Sequence, residues 1–175
     1  MAKRFLFDRF KNGKIIMIKA EKILIIPPNI NAIIDTYKRK LPDLESGGII
    51  LGKILPNKHI LIKLLTPPNQ KDQRGLYFFH RNRNEAQKII NQKWNESNGE
   101  IIYLGEWHTH NEDVPIPSHR DLTMIKNQLK TSKMEIDFLL LLIIGQKENY
   151  YGIETKTGHK RIKMSNNPFY YYIDI

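Results

Sequence analysis

The residues most able to do chemistry lie between positions 105 and 121. Gly105-Glu106-Trp107-His108-Thr109-His110 carries two histidines two positions apart, and Pro117-Ser118-His119-Arg120-Asp121 follows. In a strand, residues i and i+2 point to one face, so His108 and His110 present two imidazoles side by side. Ser118 is a favourable helix N-cap, and Asp121, three residues on, falls in the first helical turn. The loop between them is long enough to bring that turn back beside the strand end. Two imidazoles and a carboxylate suit catalytic zinc, which takes three protein ligands and keeps a fourth position for water. Bound zinc lowers the pKa of that water from about 15.7 to roughly 7. A His-x-His pair alone is commonplace on exposed strands, and Ser118 with Asp121 alone is an ordinary capping box. Their joint spacing gives them chemical meaning, together with a further carboxylate, Glu45, just ahead of Gly47-Gly48 and the apolar Ile49-Ile50-Leu51.

The elements that must position these groups follow from periodicity. Residues 101–110 read as a strand, 111–117 as a Pro-containing loop, and 118 to about 130 as a helix. Residues 48–55 and 59–65 read as a strand pair around Pro56-Asn57. An earlier helix, capped by Asn29 and running to about Lys40, places Ile30, Ile33, Ile34, Tyr37 and Leu41 on one stripe. Asn84 opens another helix, with Ala86, Ile89, Ile90 and Trp94 on one face. Short strands are expected at 15–18, 23–26, 77–79, 149–154 and 161–164, with an Asn12-Gly13 hairpin before the first and a last edge strand at 169–173. Residues 66–75, with two prolines and a glycine, form a loop. Phe138 to Ile144 is the longest apolar run and fits a strand buried on both faces. Strands and three helices alternate without a regular βαβ rhythm, which predicts an α/β fold with a mixed sheet flanked by helices.

Composition bounds the rest. With 175 residues, one domain spanning 1–175 is expected. The chain has no cysteine. That excludes a disulfide scaffold, thiolate-ligated zinc, a thiol nucleophile and the zinc nucleobase deaminases. No targeting segment is visible, and the apolar run at 138–144 is too short for a bilayer span of about 20 residues, so a cytoplasmic protein with no membrane partner is expected. The net charge is +10, which points to an acidic partner. Residues 1–40 hold 10 Lys+Arg against 3 Asp+Glu, whereas residues 101–175 hold 9 of each. The basic surplus therefore lies away from the histidine segment, and it fits an acidic protein partner better than nucleic acid. No helix-turn-helix and no aromatic–basic interleaving is present.

The sequence resembles the JAB/MPN+ (JAMM) metallopeptidases. Their pattern is a Glu ahead of a Gly-Gly strand, then His-x-His, ten residues and Asp, with Ser three before the Asp. Here these are Glu45, His108, His110, Asp121 and Ser118, with the ten-residue gap intact. Tyr103-Leu104-Gly105-Glu106-Trp107-His108-Thr109-His110, with Trp94 and Gly99, is most similar to the prokaryotic JAB branch, whose members often accompany ubiquitin-activating-like and ubiquitin-conjugating-like proteins, including those of CBASS antiphage systems. The resemblance implies a curved mixed sheet with about three helices, the cytidine-deaminase-like JAB/MPN architecture. It implies peptide or isopeptide hydrolysis, with His108, His110 and Asp121 holding Zn²⁺, Glu45 as general base and Ser118 stabilising the oxyanion. The implied substrate is a ubiquitin-like protein or its conjugate, its C-terminal tail lying in a groove walled by residues 66–75 and 111–117. Glu106 shares the histidine face and is expected to orient a ligand; Trp107 and Thr109 face the core. His80 is expected to end a strand, and His59 and His159 to sit in turns. One position departs from the family: the residue after the second His is usually Pro and here is Asn111, which is expected to loosen the loop without changing the chemistry. Two other readings share parts of this pattern, a DNA-associated RadC-like JAMM protein and a non-catalytic MPN-type interaction module.

Overall fold

The computed structural model describes residues 14–18, 22–164 and 171–173, with side chains over 24–162. In chain order the elements are β1 (Lys14–Ile18), β2 (Lys22–Ile26), α1 (Pro28–Lys38), β3 (Gly47–Ile54), β4 (Ile60–Leu65), β5 (Gln73–Arg74), β6 (Phe79–His80), α2 (Arg83–Glu96), β7 (Ile102–Thr109), α3 (His119–Thr131), β8 (Phe138–Ile144), β9 (Asn149–Thr155), β10 (Gly158–Arg161), β11 (Lys163–Met164) and β12 (Tyr171–Ile173). Ten of the strands form one sheet in the order β10-β9-β8-β7-β3-β4-β2-β1-β12-β11, and β5 and β6 make a separate hairpin. The sheet is mixed: β7–β8, β2–β4 and β1–β12 are parallel and the other pairs antiparallel.

Strands β3, β7 and β8 lie at the centre and are buried on both faces. This is why β8 and the Ile49–Leu51 stretch of β3 are continuous apolar runs rather than alternating ones. On one face, Ile50, Trp107, Leu140 and Leu142 pack with Ile30 and Ile34 of α1. On the other, Ile49, Leu51 and Leu139 pack with Ala86 of α2 and Ile125 of α3. Among the described residues, one helix therefore covers one face and two cover the other. Among the described residues, no helix is long and apolar enough to cross a membrane.

Sequence and structure differ mainly at element ends. Helix α1 begins at Pro28, whose fixed φ suits a first helical position, so Asn29 lies inside the helix and is not its cap. Helix α2 is capped by Asn82, whose side chain accepts from Glu85 N–H, two residues before the expected start. The expected turn around His159 is instead strand β10, paired with β9. The Asn12-Gly13 hairpin, Phe169 and Tyr170 lie outside the described residues.

A bulge distorts the centre of β7. Its register with β3 shifts between Ile50 and Leu51, so that Ile50 faces Gly105 and Leu51 faces Tyr103. The extra residue, Leu104, turns Tyr103 to the same face as Glu106, which strict alternation would forbid. Gly105 has φ +153, and a Cβ there would sit 2.0 Å from the Leu140 carbonyl oxygen of β8. Only glycine allows the two backbones to approach so closely at this point.

Candidate functional site

Strand β7 delivers His108, and His110 follows just past its end. Both side chains are buried. The His110 N–H donates to the Ile144 carbonyl at 3.0 Å, which fixes it against the end of β8. Gly47 of β3 pairs directly with His108. The return loop then brings the first turn of α3 against the same face. Here Ser118 and Asp121 form a reciprocal capping box: Asp121 N–H donates to Ser118 Oγ at 3.2 Å, and Ser118 N–H donates to Asp121 Oδ2 at 2.7 Å. Ser118 Oγ also donates to Asp121 Oδ2 at 2.7 Å.

The three side chains expected from the sequence converge. His108 Nε2 lies 3.1 Å from His110 Nε2 and 3.3 Å from Asp121 Oδ1, and His110 Nε2 lies 3.5 Å from Asp121 Oδ2. Donor atoms held at about 2.0–2.1 Å around a tetrahedral ion stand about 3.3 Å from one another. The observed triangle matches that spacing, so this group can hold a metal ion. The charges are arranged accordingly. Burial pushes the Asp121 carboxyl up, but hydrogen bonds from His108 and His110, with the charge of His108 and the Ser118 hydroxyl, outweigh it and hold Asp121 well below the usual carboxylate range. Burial pushes His110 down, and the hydrogen bond and charge of Asp121, with Glu45 and Glu112, raise it on balance.

Glu45 enters the same cleft from the segment ahead of β3, and is only 5% exposed. Burial pushes its carboxyl up to about 7, partly opposed by His110 and reinforced by Asp121 and Glu112. Its backbone is held by the β5–β6 hairpin. Glu45 N–H donates to the Gly75 carbonyl at 2.8 Å. The Arg74 guanidinium donates to the carbonyls of Glu45 and Leu44, at 2.7 and 3.0 Å, and to Ser46 Oγ at 2.5 Å. The cleft has a volume of about 400 Å³, and Glu45, His108, His110, Ser118 and Asp121 all line it.

This group belongs to a domain with relatives. Residues 28–156 match the family model of prokaryotic homologs of the JAB domain. The chain belongs to that family. Among JAB proteins it is similar to three named CD-NTase/cGAS isopeptidase. The one from Escherichia coli (strain TW11681) is 35% identical over 120 residues, 68% of this chain and 73% of the relative. The one from Pseudomonas aeruginosa (strain BWHPSA011 / Pa011) is 35% identical over 116 residues, 66% and 72% of the two chains. The one from Vibrio cholerae serotype O1 is 32% identical over 108 residues, 62% and 66%. The solution structure of a Desulfitobacterium hafniense protein shares the fold, with TM-score 0.51 and 17% identity over 91% of this chain and 94% of that one. Among the described residues, the mixed sheet with three helices is thus the JAB fold expected from the sequence.

Several expectations around the JAB site are corrected. Glu106 lies on the histidine face, but its partners are Arg81 and Tyr103 rather than a histidine: Arg81 approaches at 2.7–2.9 Å, and the Tyr103 hydroxyl donates to Oε1. The bulge that turns Tyr103 over made this pairing invisible to strand alternation. Residues 66–75 do not wall the cleft. Residues 77–81, Asn111 and Glu112 line it, and Arg74 holds the backbone of Glu45. The Asn111 side chain bonds to two other segments. His159 is bonded to Glu154 at 3.1 Å and to the Tyr150 hydroxyl at 2.8 Å. Trp107 and Thr109 do face the core, with Trp107 Nε1–H donating to the Thr66 carbonyl and Thr109 Oγ1 accepting from Ser46 N–H. His80 ends β6, as expected.

Proposed function

We propose that the chain is a zinc-dependent isopeptidase that cleaves after the C-terminal tail of a ubiquitin-like modifier, releasing it from a protein conjugate. The observation that carries this reading is the metal-sized triangle of His108, His110 and Asp121 with the buried Glu45 in the same cleft. The donor set of two imidazole nitrogens and one carboxylate, with no cysteine in the chain, suits zinc with one open position. The names of the relatives support an isopeptidase and suggest a conjugate of a CD-NTase or cGAS-like protein as target. The resemblance to the prokaryotic JAB branch supports a role in a bacterial antiphage operon.

In this mechanism His108, His110 and Asp121 would hold the ion, which when bound would supply an acidified water and a Lewis acid for the scissile carbonyl. Glu45 takes the proton from the attacking water and gives it to the leaving lysine amine as the C–N bond breaks, so the products are a carboxylate and an amine. A carboxyl with its pKa near working pH does both transfers efficiently. Ser118 lines the cleft and steadies the tetrahedral oxyanion. Its one hydroxyl hydrogen is donated to Asp121 at rest, so it serves the oxyanion by turning away from that carboxylate.

The test is elemental analysis of purified protein, followed by cleavage of ubiquitin-like modifiers carrying a C-terminal lysine isopeptide, with and without chelator. About one zinc per chain and chelator-sensitive release of the modifier are expected. Protein that takes up no zinc on reconstitution and cleaves no such conjugate would overturn the proposal.

A further inference from the structure

The side chain of Asn111 closes a triangle between three segments that share no secondary structure. Its Oδ1 accepts from the Asp43 N–H at 3.2 Å. Its two Nδ2 hydrogens are divided between the Asp43 carbonyl at 2.9 Å and the Leu76 carbonyl at 3.1 Å. One acceptor meets a donor and both donors meet acceptors, so the opposite amide orientation would turn all three contacts repulsive. The segment held at Asp43 runs directly into Glu45. The hairpin held at Leu76 is the one whose Arg74 and Gly75 grip the Glu45 backbone from its other side. The residue before Asn111 is His110, which is anchored separately by its own bond to Ile144. The Asn111 side chain therefore fixes the approach to Glu45 without being needed to hold the imidazole in place.

From this geometry we infer that Asn111 is a positioning residue for Glu45, a side-chain staple that sets where the Glu45 segment stands relative to the histidines. The catalytic part of this inference rests on the proposed function. The staple itself does not. Alanine at 111 removes all three bonds. Aspartate has nearly the same shape and keeps the acceptor, but it sets a second oxygen against the carbonyls of Asp43 and Leu76. A space-filling residue would be replaced well by aspartate, and a staple would not.

Amide hydrogen exchange on metal-free wild-type, Asn111→Ala and Asn111→Asp protein decides the structural part whatever the catalytic result. Exchange over residues 43–46 and 74–78 is expected to quicken about tenfold in both variants, with β7 and β8 unchanged. Unchanged exchange in those two segments would overturn the inference. The second reading is zinc content with kcat and KM on a modifier–lysine conjugate. Both variants are expected to keep wild-type zinc and nearly the same KM while kcat falls about ten- to hundredfold. Loss of zinc, or wild-type kcat despite quickened exchange, would overturn the positioning role. A wild-type protein that cleaves no conjugate would instead count against the proposed function, and the exchange result would still judge the staple.

Discussion

In the proposed mechanism Glu45 changes its protonation state while almost wholly buried at the wall of the cleft. Burial lifts it to about 7, and a bound dication beside it would favour the carboxylate and lower it from there. The base works only when deprotonated, so activity falls as pH drops through this value. The zinc-loaded protein is therefore expected to show an acid limb of kcat at or below about pH 7. Glu45→Gln keeps the shape but accepts no proton. It should retain wild-type zinc while losing about 10²–10⁴-fold in kcat, measured at matched metal content. Zinc loss in that variant would mean that Glu45 helps to hold the ion, and near-normal turnover would remove it from the mechanism. Its rival, Glu106, is occupied by Arg81 and Tyr103, so of these two glutamates Glu106 is the one tied to a cation and a hydroxyl.

At the scale of elements, β7 serves both the site and the core. Its residues alternate between the metal face and the core face from Glu106 onward, whereas the bulge at Leu104 breaks the alternation before it. Gly105 permits that break, since β8 passes within van der Waals contact of its α-carbon. Gly105→Ala forces β7 and β8 apart where they carry His108 and Ile144, the anchor of His110. It should cost on the order of 3 kcal/mol, read as a lowered denaturation midpoint in urea, and should weaken zinc retention as well. Unchanged stability would show that the strands can separate there without cost. The helix that brings Asp121 begins with its own capping box, so Asp121 both closes the cap with Ser118 and completes the His108–His110–Asp121 group. That economy explains why Ser118 and Asp121 read as a cap from sequence even though they line a cleft.

At the scale of the molecule, the site lies where one end of the central sheet, the first turn of α3 and the β5–β6 hairpin meet. The Arg81–Glu106 pair ties the start of α2 to β7 beneath the cleft, with side chains only 14% and 5% exposed. Removing one partner strands a buried charge, so Arg81→Met should cost about 3–5 kcal/mol, whereas Arg81→Met with Glu106→Leu should recover most of that loss. Chemical denaturation of the two variants measures the difference, and equal loss in both would show that the pair acts other than as compensating charges. The sequence by itself pointed to the His108–His110–Asp121 group and, among the described residues, to the three helices and the mixed sheet, because each rests on local spacing: two residues per strand repeat, a cap three residues ahead of its partner, an apolar run of strand length; Glu45 came from the resemblance to the family pattern. Only the tertiary structure decided which groups support them. Arg74, Arg81 and Asn111 lie 29, 25 and 68 residues from the partners they bind, and each belongs to a type that is ordinarily solvated. A polar side chain far along the chain carries no periodic signal; its role exists only once folding has brought a buried carboxylate or an unmatched backbone group within reach.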